Sequence, residues 1–416
     1  MTRLLVPEMF GVIAIAVIVM VGLSMFSDVG LKQSIVQSKR GSDPHFLNTA
    51  WVTQILRSVL LWIFALGIAV MVFVAAGAGP VPTNSVYADP SLPYVIAVLS
   101  FTLAIGGWQS TKLYEASRNL SLGRITTIEV ASQIVGLLCM IGWVIIDRTV
   151  WALVAGAIFS TISRTLLSHV LLPGTTNRWE WDKSASHEFF HFGKWIFIST
   201  ILSFLVLHTD RLLLGGLVNA TVLGVYVIAY LVFNSIEQML TKIIGEVSFP
   251  AFSEVARERP SELRASYYRF HFFVAPLAYF CSGTLMMSGQ ALIGLLYDQR
   301  YEAAGWMLQI LAAALLALPF GVATQCFMAL GATRLLSYVG TLRLATLLVL
   351  TPIGFHLFDL QGFLLGILLS HFSQVPLTIF YQIKYGLFDL RKELVLIPAV
   401  IVGLAMGKAI NLAIGY

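Results

Sequence analysis

The feature that most constrains the fold is a series of twelve long apolar runs, each close to the length that crosses a bilayer. A transmembrane helix needs about 20 mainly apolar residues. The runs are continuous rather than alternating in polarity, which favours helices, because a helix satisfies its backbone hydrogen bonds within one segment. The predicted spans are 10–26, 50–74, 94–110, 125–146, 150–171, 195–217, 222–244, 270–296, 307–330, 335–358, 363–383 and 394–414. We therefore predict an all-α protein, a polytopic transmembrane helical bundle of about 12 spans in two lobes.

Composition excludes an ordinary soluble protein. It gives no support for a protein that binds nucleic acid, holds a metal ion or depends on disulfide bonds. Of the 416 residues, 58% are hydrophobic and 11% are charged, whereas soluble domains have about 25% charged residues. The net charge of +5 does not indicate a nucleic-acid partner, because the basic residues are spread between apolar runs. The three cysteines lie inside apolar runs without metal-binding spacing, so we predict no metal site and no disulfide framework.

Basic residues are concentrated in every second loop. The loops after the first, third, fifth, seventh, ninth and eleventh runs carry Lys32, Lys39, Arg40, Lys112, Arg118, Arg124, Arg178, Lys183, Lys194, Arg257, Arg259, Arg264, Arg269, Arg334, Lys384, Arg391 and Lys392. The intervening connections carry at most one basic residue each: Arg148, Arg211 and Arg300. This asymmetry predicts that the basic loops are cytoplasmic. It places the short segment 1–9 outside, from which we expect one further helix upstream of the first span.

The longest polar segment, 173–194, divides the runs into five and seven. Its aromatic residues alternate with charged ones, a pattern typical of a segment that lies along the headgroup surface. The predicted organisation is a first bundle at 1–172, a cytoplasmic amphipathic linker at 173–194, a second bundle of about six spans at 195–385 and a final span at 386–416.

Four charged residues lie one to two turns inside predicted spans, on the side of the basic loops: Arg57, Glu129, Arg164 and Arg343. At 1.5 Å per residue they lie roughly 10 Å inside the membrane. A charge at the centre of a span costs at least ~2.5–3.5 kcal/mol on insertion, so each needs a reason. Guanidinium groups bind phosphate oxygens in pairs and remain charged, which predicts that the four side chains line one cavity for a phosphate-bearing anion. The alternatives are arginines that extend to the headgroups and a helix-to-helix pair with Glu129.

Further polar residues occur inside the spans. His371 and Gln374 fall near the middle of the eleventh run and are predicted to contact the ligand or relay a proton, with a helix-to-helix hydrogen bond as the alternative. Asp210, Arg211 and Glu237 are candidates for coupling or gating. Because adjacent residues do not share a helix face, we expect Asp210 and Arg211 to contact different partners, with charged capping of a helix end as the alternative.

Two stretches resemble a known family: RLLVPEMFGVIAIAVIVMVGLSMFSDVGLKQSIVQ at 3–37 and TDRLLLGGLVNATVLGVYVIAYLVFNSIEQML at 209–240. They are similar to Wzx-type polysaccharide flippases of the multidrug/oligosaccharidyl-lipid/polysaccharide exporter superfamily, with the first family helix missing. The resemblance implies a flippase that moves a polyprenyl-diphosphate oligosaccharide across the bacterial inner membrane by alternating access, for lipopolysaccharide (O-antigen) or exopolysaccharide biosynthesis. It implies that the arginine cavity receives the diphosphate and that His371 and Gln374 contact sugar hydroxyls. It also implies H⁺ or Na⁺ coupling without a cofactor. The expected partners are the lipid-linked substrate, membrane lipids and polysaccharide polymerase or assembly proteins, and we expect a monomer.

Two other functions fit the same layout. A multidrug and toxin cation antiporter shares it, but a carrier of cations favours acidic cavity residues, and arginines dominate here. A membrane enzyme, such as an oligosaccharide polymerase or a lipid-dependent glycosyltransferase, usually presents a large outer loop with clustered Arg, His or paired acids. The largest such loop, 76–93, has one acid, Asp89, and no base, and no catalytic motif occurs in a context where it operates. We therefore predict that the chain is not an enzyme.

Overall fold

The structure, a computed structural model, describes residues 4–27, 30–79, 81–332 and 334–415, and these contain helices and loops but no β-strand. Within these ranges, ten helical segments are long and apolar enough to cross a membrane: Pro7–Phe26, Pro44–Ala78, Leu122–Ile146, Trp151–Val170, Thr200–Leu217, Ala220–Ile243, Pro260–Leu296, Ala304–Ala329, Arg334–Lys384 and Leu390–Ile414. The predicted class, a polytopic helical membrane protein, is confirmed.

The helices follow the apolar runs closely. In chain order they are α1 (Pro7–Phe26), α2 (Leu31–Gln37), α3 (Pro44–Ala78), α4 (Leu92–Leu99), α5 (Phe101–Gly106), α6 (Lys112–Arg118), α7 (Leu122–Ile146), α8 (Trp151–Val170), α9 (Lys183–Leu217), α10 (Ala220–Ile243), α11 (Phe249–Glu258), α12 (Leu263–Leu296), α13 (Ala304–Ala312), α14 (Gly321–Ala329), α15 (Arg334–Lys384), α16 (Leu390–Leu394) and α17 (Pro398–Ile414). Short 3₁₀ segments lie at Val86–Ala88, Pro260–Glu262, Gln299–Tyr301 and Ala313–Phe320, and a π-helical turn at Ile244–Ser248.

The 51 residues of α15 are two helices joined by a reversal. A straight helix of that length is about 75 Å long, more than twice the thickness of the hydrocarbon core. Phe358 and Asp359 have non-helical dihedral angles, and φ of Asp359 is +49°. Gly354 precedes these two residues and Gly362 follows them. The backbones of the two glycines meet so closely that a β-carbon on either would overlap the other. The predicted spans 335–358 and 363–383 are thus two antiparallel halves of α15.

The third predicted span, 94–110, is shorter and interrupted. The apolar helix here covers Leu92–Gly106 and is divided into α4 and α5 at Ser100. Gly106 and Gly107 favour its end, because glycine is a weak helix former. The chain then passes through Trp108–Ser110 without regular structure before Thr111 and α6.

The chain forms two compact units, Met1–Gly224 and Val225–Tyr416. The boundary falls inside α10, and α9 begins at Lys183, within the segment assigned to the linker. The predicted limits at 172, 194 and 385 therefore stay a prediction.

Glycines allow the last span to pack closely within the second unit. A β-carbon on Gly283 of α12 would meet the carbonyl oxygen of Val400, and one on Gly403 of α17 would meet that of Phe280. Small residues of this kind allow membrane helices to approach closely, which is where their packing energy comes from. Helix α17 is thereby fixed along α12.

Candidate functional site

Arg57 on α3 lines a cavity of about 210 Å³ in the first unit. At ~30 Å³ per water molecule this is room for about seven waters, enough for a phosphate group or part of a sugar. Its walls include residues of α3, within the span Pro44–Ala78, and of the broken helix Leu92–Gly106. Its other lining residues are Ser24, Gln54, Ser58, Leu61, Thr102, Leu103, Gly106, Gly107, Gln109 and Tyr114.

Gln54 fixes one wall of this cavity. Its Nε2 donates to the carbonyl oxygens of Gly107 at 2.9 Å and Gln109 at 3.1 Å, and its Oε1 accepts from the Tyr114 hydroxyl at 2.8 Å. These carbonyls lie just beyond the end of α5, so the buried amide satisfies backbone groups that the helix leaves open. Gln54 and Arg57 are three residues apart and lie on the same face of α3. Gln54 and Tyr114 were absent from the residues predicted from sequence.

Arg164 on α8 forms an ion pair with Glu129 on α7. Arg164 Nη2 lies 3.2 Å from Glu129 Oε1, and the two side chains are 43% and 44% exposed. The helix-to-helix pairing considered from the sequence is therefore present.

The second unit brings together three of the predicted site residues. Arg343 and His371, on opposite halves of α15, meet with Arg343 Nη2 at 2.6 Å from His371 Nε2. Glu237 on α10 places its Oε1 3.6 Å from the same Nε2. The ring of Phe233 lies edge-on to the imidazole at 6.1 Å. Gln374 is half-buried three residues beyond His371.

Asp210 and Arg211 contact each other, and the expectation that each also has a different partner stays a prediction. Arg211 Nε lies 3.6 Å from Asp210 Oδ1, and Arg211 Nη2 donates to the carbonyl oxygen of Leu207 at 2.6 Å. The long arginine side chain folds back along α9, so adjacent residues meet although their Cβ atoms diverge. Their role in coupling or gating stays a prediction.

A polar cluster outside the spans ties the segment before α9 to the start of α3. Arg40 Nη2 lies 2.7 Å from Asp182 Oδ2, and this hydrogen bond lowers the pKa of the Asp182 carboxyl to about 2. Asn48 donates to Glu180 Oε2 at 2.9 Å and is the main cause of the lowered pKa of Glu180, with a smaller contribution from His45. Both carboxylates are therefore ionised at neutral pH.

The predicted site residues thus fall into separate groups. Arg57 lines its own cavity, Arg164 pairs with Glu129, and Arg343 forms a triad with His371 and Glu237. Convergence of the three arginines on one cavity stays a prediction. Within the described residues, no group of three or more His, Cys, Asp or Glu side chains is arranged to hold a metal ion.

Comparison with known proteins gives a family match and distant relatives. Residues 1–305 match the family model described as polysaccharide biosynthesis protein. The lipopolysaccharide biosynthesis protein WzxC of Escherichia coli strain K12 is 22% identical over 322 residues, which is 75% of this chain and 61% of the relative. The teichuronic acid biosynthesis protein TuaB of Bacillus subtilis strain 168 is 21% identical over 289 residues, 68% of this chain and 56% of the relative. The chain therefore spans less than two thirds of either relative's length.

Solved structures with the same fold are membrane transporters. The lipid II flippase MurJ in an inward closed conformation aligns with a TM-score of 0.67 and 12% identity, covering 98% of this chain and 91% of that one. An inward-facing multidrug resistance transporter of the MATE family aligns with a TM-score of 0.63 and 13% identity, covering 98% and 92%. At these identities the likeness shows the fold, which agrees with the two-lobe MATE-like bundle predicted from the sequence.

Proposed function

Because this chain belongs to the polysaccharide biosynthesis protein family, we propose that it flips a lipid-linked oligosaccharide across the bacterial inner membrane. The substrate class is a polyprenyl-diphosphate oligosaccharide that serves lipopolysaccharide or exopolysaccharide synthesis. Support comes from the relatives named for lipopolysaccharide and teichuronic acid biosynthesis and from a fold shared with a lipid II flippase.

The observation that carries the proposal is a polar cavity lined by Arg57, a residue of the membrane span α3. Arg57 supplies a cation that stays protonated in a dry site and binds phosphate oxygens in pairs. Ser58, Thr102 and Gln109 give the same cavity polar walls. A diphosphate headgroup enters this cavity while its polyprenyl tail remains in lipid.

The transport cycle is alternating access without covalent chemistry. The basic loops face the cytoplasm, the headgroup is captured from that side, and the opposite state releases it. Coupling to an H⁺ or Na⁺ gradient drives the cycle. The protein works as a monomer among membrane lipids and passes its product to polysaccharide polymerase or assembly proteins.

A cation antiporter is the second candidate, because a MATE transporter shares the fold. A site for an organic cation needs a carboxylate to balance the ligand's charge. Among the described residues, those that line the Arg57 cavity include no Asp or Glu. An anionic ligand therefore fits this cavity better.

The test is complementation of a flippase-deficient strain, with surface polysaccharide as the readout. Arg57→Gln should reduce export at least about tenfold, equivalent to ~1.4 kcal/mol, because the guanidinium is lost. Arg57→Lys should retain part of the activity, since ammonium keeps the charge without the paired hydrogen bonds.

The matched control is Arg124→Gln, which removes an exposed arginine at the start of α7 and should leave export unchanged. Membrane levels of each variant are compared by immunoblot. Wild-type export by Arg57→Gln at an equal membrane level would refute the proposal.

A further inference from the structure

The hydrogen bonds of His371 define its protonation state. Nδ1 lies 3.0 Å from the carbonyl oxygen of Ile367, which only accepts, so Nδ1 carries a proton. Nε2 lies 2.6 Å from Arg343 Nη2, and a guanidinium nitrogen only donates. Nε2 therefore presents its lone pair, and the imidazole is neutral in this arrangement.

Glu237 competes with Arg343 for the same nitrogen. Its Oε1 lies 3.6 Å from His371 Nε2, one small side-chain movement from a hydrogen bond. Arg343 requires a lone pair on Nε2, whereas Glu237 requires an N–H. Arg343 and Glu237 cannot both bond to Nε2 at the same time. The protonation of Nε2 therefore decides whether His371 bonds to Arg343 on α15 or to Glu237 on α10.

The surroundings leave this competition to the three side chains. The elements that pack extensively on α15 are Ala304–Ala312, Ala313–Phe320 and Gly321–Ala329. Within these described segments there is no Asp, Glu, Lys, Arg or His, and one thiol, Cys326. Phe233 closes one side of the ring. Helix α10, which contributes Glu237 and Phe233, carries one other charged residue, Lys242, five residues beyond Glu237. Arg343 and Glu237 are the charged groups for which a contact with His371 is observed.

The charge of the triad depends on one proton. With His371 neutral, Arg343 and Glu237 cancel and the net charge is zero. A proton from the aqueous phase that binds Nε2 raises the net charge of the triad to +1. The Nε2–H donor then faces the N–H donor of Arg343, and the two repel each other. His371 then bonds to Glu237, and the guanidinium loses its partner within the triad.

We propose that Glu237, His371 and Arg343 form a proton-gated anion site, in which a proton on His371 releases Arg343 to bind a phosphate-bearing ligand. The inference rests on the proposed function, because the ligand in the cell is the diphosphate headgroup of the lipid-linked substrate. Linkage makes the effect reciprocal: a bound anion strengthens proton binding by the factor by which the proton strengthens anion binding.

The test measures binding of inorganic diphosphate to the purified protein in phosphatidylcholine nanodiscs at about pH 6 and about pH 8, the range in which histidine changes charge. In His371→Gln the amide does not titrate, so the ratio of the two dissociation constants reflects the ionisation of diphosphate and of the groups that both proteins share. The wild-type ratio should exceed it by about fivefold or more, a typical coupling factor. Arg343→Gln should weaken binding at about pH 6 and have little effect at about pH 8.

The control is His356→Gln, which replaces an exposed histidine on the same element and should keep the wild-type ratio. Size-exclusion profiles and circular dichroism establish that each variant is folded, and Arg343→Lys, which keeps the charge, should restore part of the binding. A second arm with farnesyl diphosphate, which carries the same anion on a prenyl chain, should show the same pH response.

Equal pH ratios for wild type and His371→Gln would overturn the proton-gated site. Unchanged binding at about pH 6 in Arg343→Gln would overturn it as well. The proposed function fails separately, when Arg57→Gln exports normally in the complementation assay. A lost pH response in His371→Gln together with normal export by Arg57→Gln would keep the triad and remove the assigned substrate.

Discussion

At the residue scale, Gln54 links the shape of the Arg57 cavity to the stability of the first unit. Replacing it by leucine removes the donor to the Gly107 and Gln109 carbonyls and the acceptor that the Tyr114 hydroxyl uses on Gln54. A buried polar group left unsatisfied costs about 1–3 kcal/mol. We expect Gln54→Leu to lower the melting temperature of the detergent-solubilised protein and to reduce export, since the cavity wall is no longer fixed.

Gln33→Leu is the control for this prediction. Gln33 is an exposed glutamine on α2, so its replacement adds the same apolar side chain without removing a buried hydrogen bond. Equal melting temperatures for Gln54→Leu and the wild-type protein would show that the amide does not fix the wall.

The same residues show what sequence reasoning can and cannot find. Arg57, Arg164 and Arg343 stand out, because charges inside apolar runs are costly wherever the chain places them. The role of Gln54 cannot be predicted in this way. Its amide donates to backbone carbonyls beyond the end of α5, and an apolar pattern does not indicate such partners. The contact of Arg343 with His371 bridges 28 residues and depends on the reversal at Phe358 and Asp359. A helical run predicts its own span but not its side-chain partners on another.

At the element scale, the packing of α17 on α12 depends on glycine. A larger side chain at Gly403 meets the Phe280 backbone, which can move only if the helices separate. Overpacking a tight contact typically costs about 1–3 kcal/mol. Gly403→Leu should therefore lower the melting temperature measured by fluorescence-detected size exclusion and reduce the amount of protein in the membrane.

Ala405→Leu provides the comparison on the same helix. Ala405 is exposed, and a larger apolar side chain there extends outward from the unit, so we expect little change. The same loss in both variants would mean that added bulk anywhere on α17 is harmful, and the close contact with α12 would then have no special role.

Apolar runs predicted most elements, and the exceptions have local causes. Ten described segments meet the length and hydropathy of a span, and α15 accounts for two predicted spans. The run 94–110 forms a shorter helix than predicted, Leu92–Gly106, because Gly106 and Gly107 end the helix early and Gln54 binds the carbonyls that follow. Boundaries of this kind depend on a side chain from another helix, which the run itself does not contain.

At the scale of the whole molecule, each compact unit holds a different group of polar side chains within its predicted spans. The first has the polar cavity lined by Arg57, and the second has the contacts of Arg343 and Glu237 with His371. Under the two proposals above, the first site binds an anion without a change of charge, whereas the second does so only after protonation of His371. This difference suits a carrier that has to bind an anionic headgroup and release it in one cycle.

The orientation predicted for the whole chain rests on the alternation of basic loops and is tested by thiol labelling. In a background with Cys139, Cys281 and Cys326 replaced by alanine, single cysteines are introduced at two exposed positions, as Asn84→Cys in a loop and Ser261→Cys in the short 3₁₀ segment Pro260–Glu262. Asn84 lies in a loop without basic residues, and Ser261 lies beside Arg257, Arg259 and Arg264. Because basic loops remain on the cytoplasmic side, a membrane-impermeant maleimide should label Asn84→Cys in intact spheroplasts and Ser261→Cys only after permeabilisation. The opposite pattern would place the basic loops outside, so that the substrate headgroup would have to be captured from the other face.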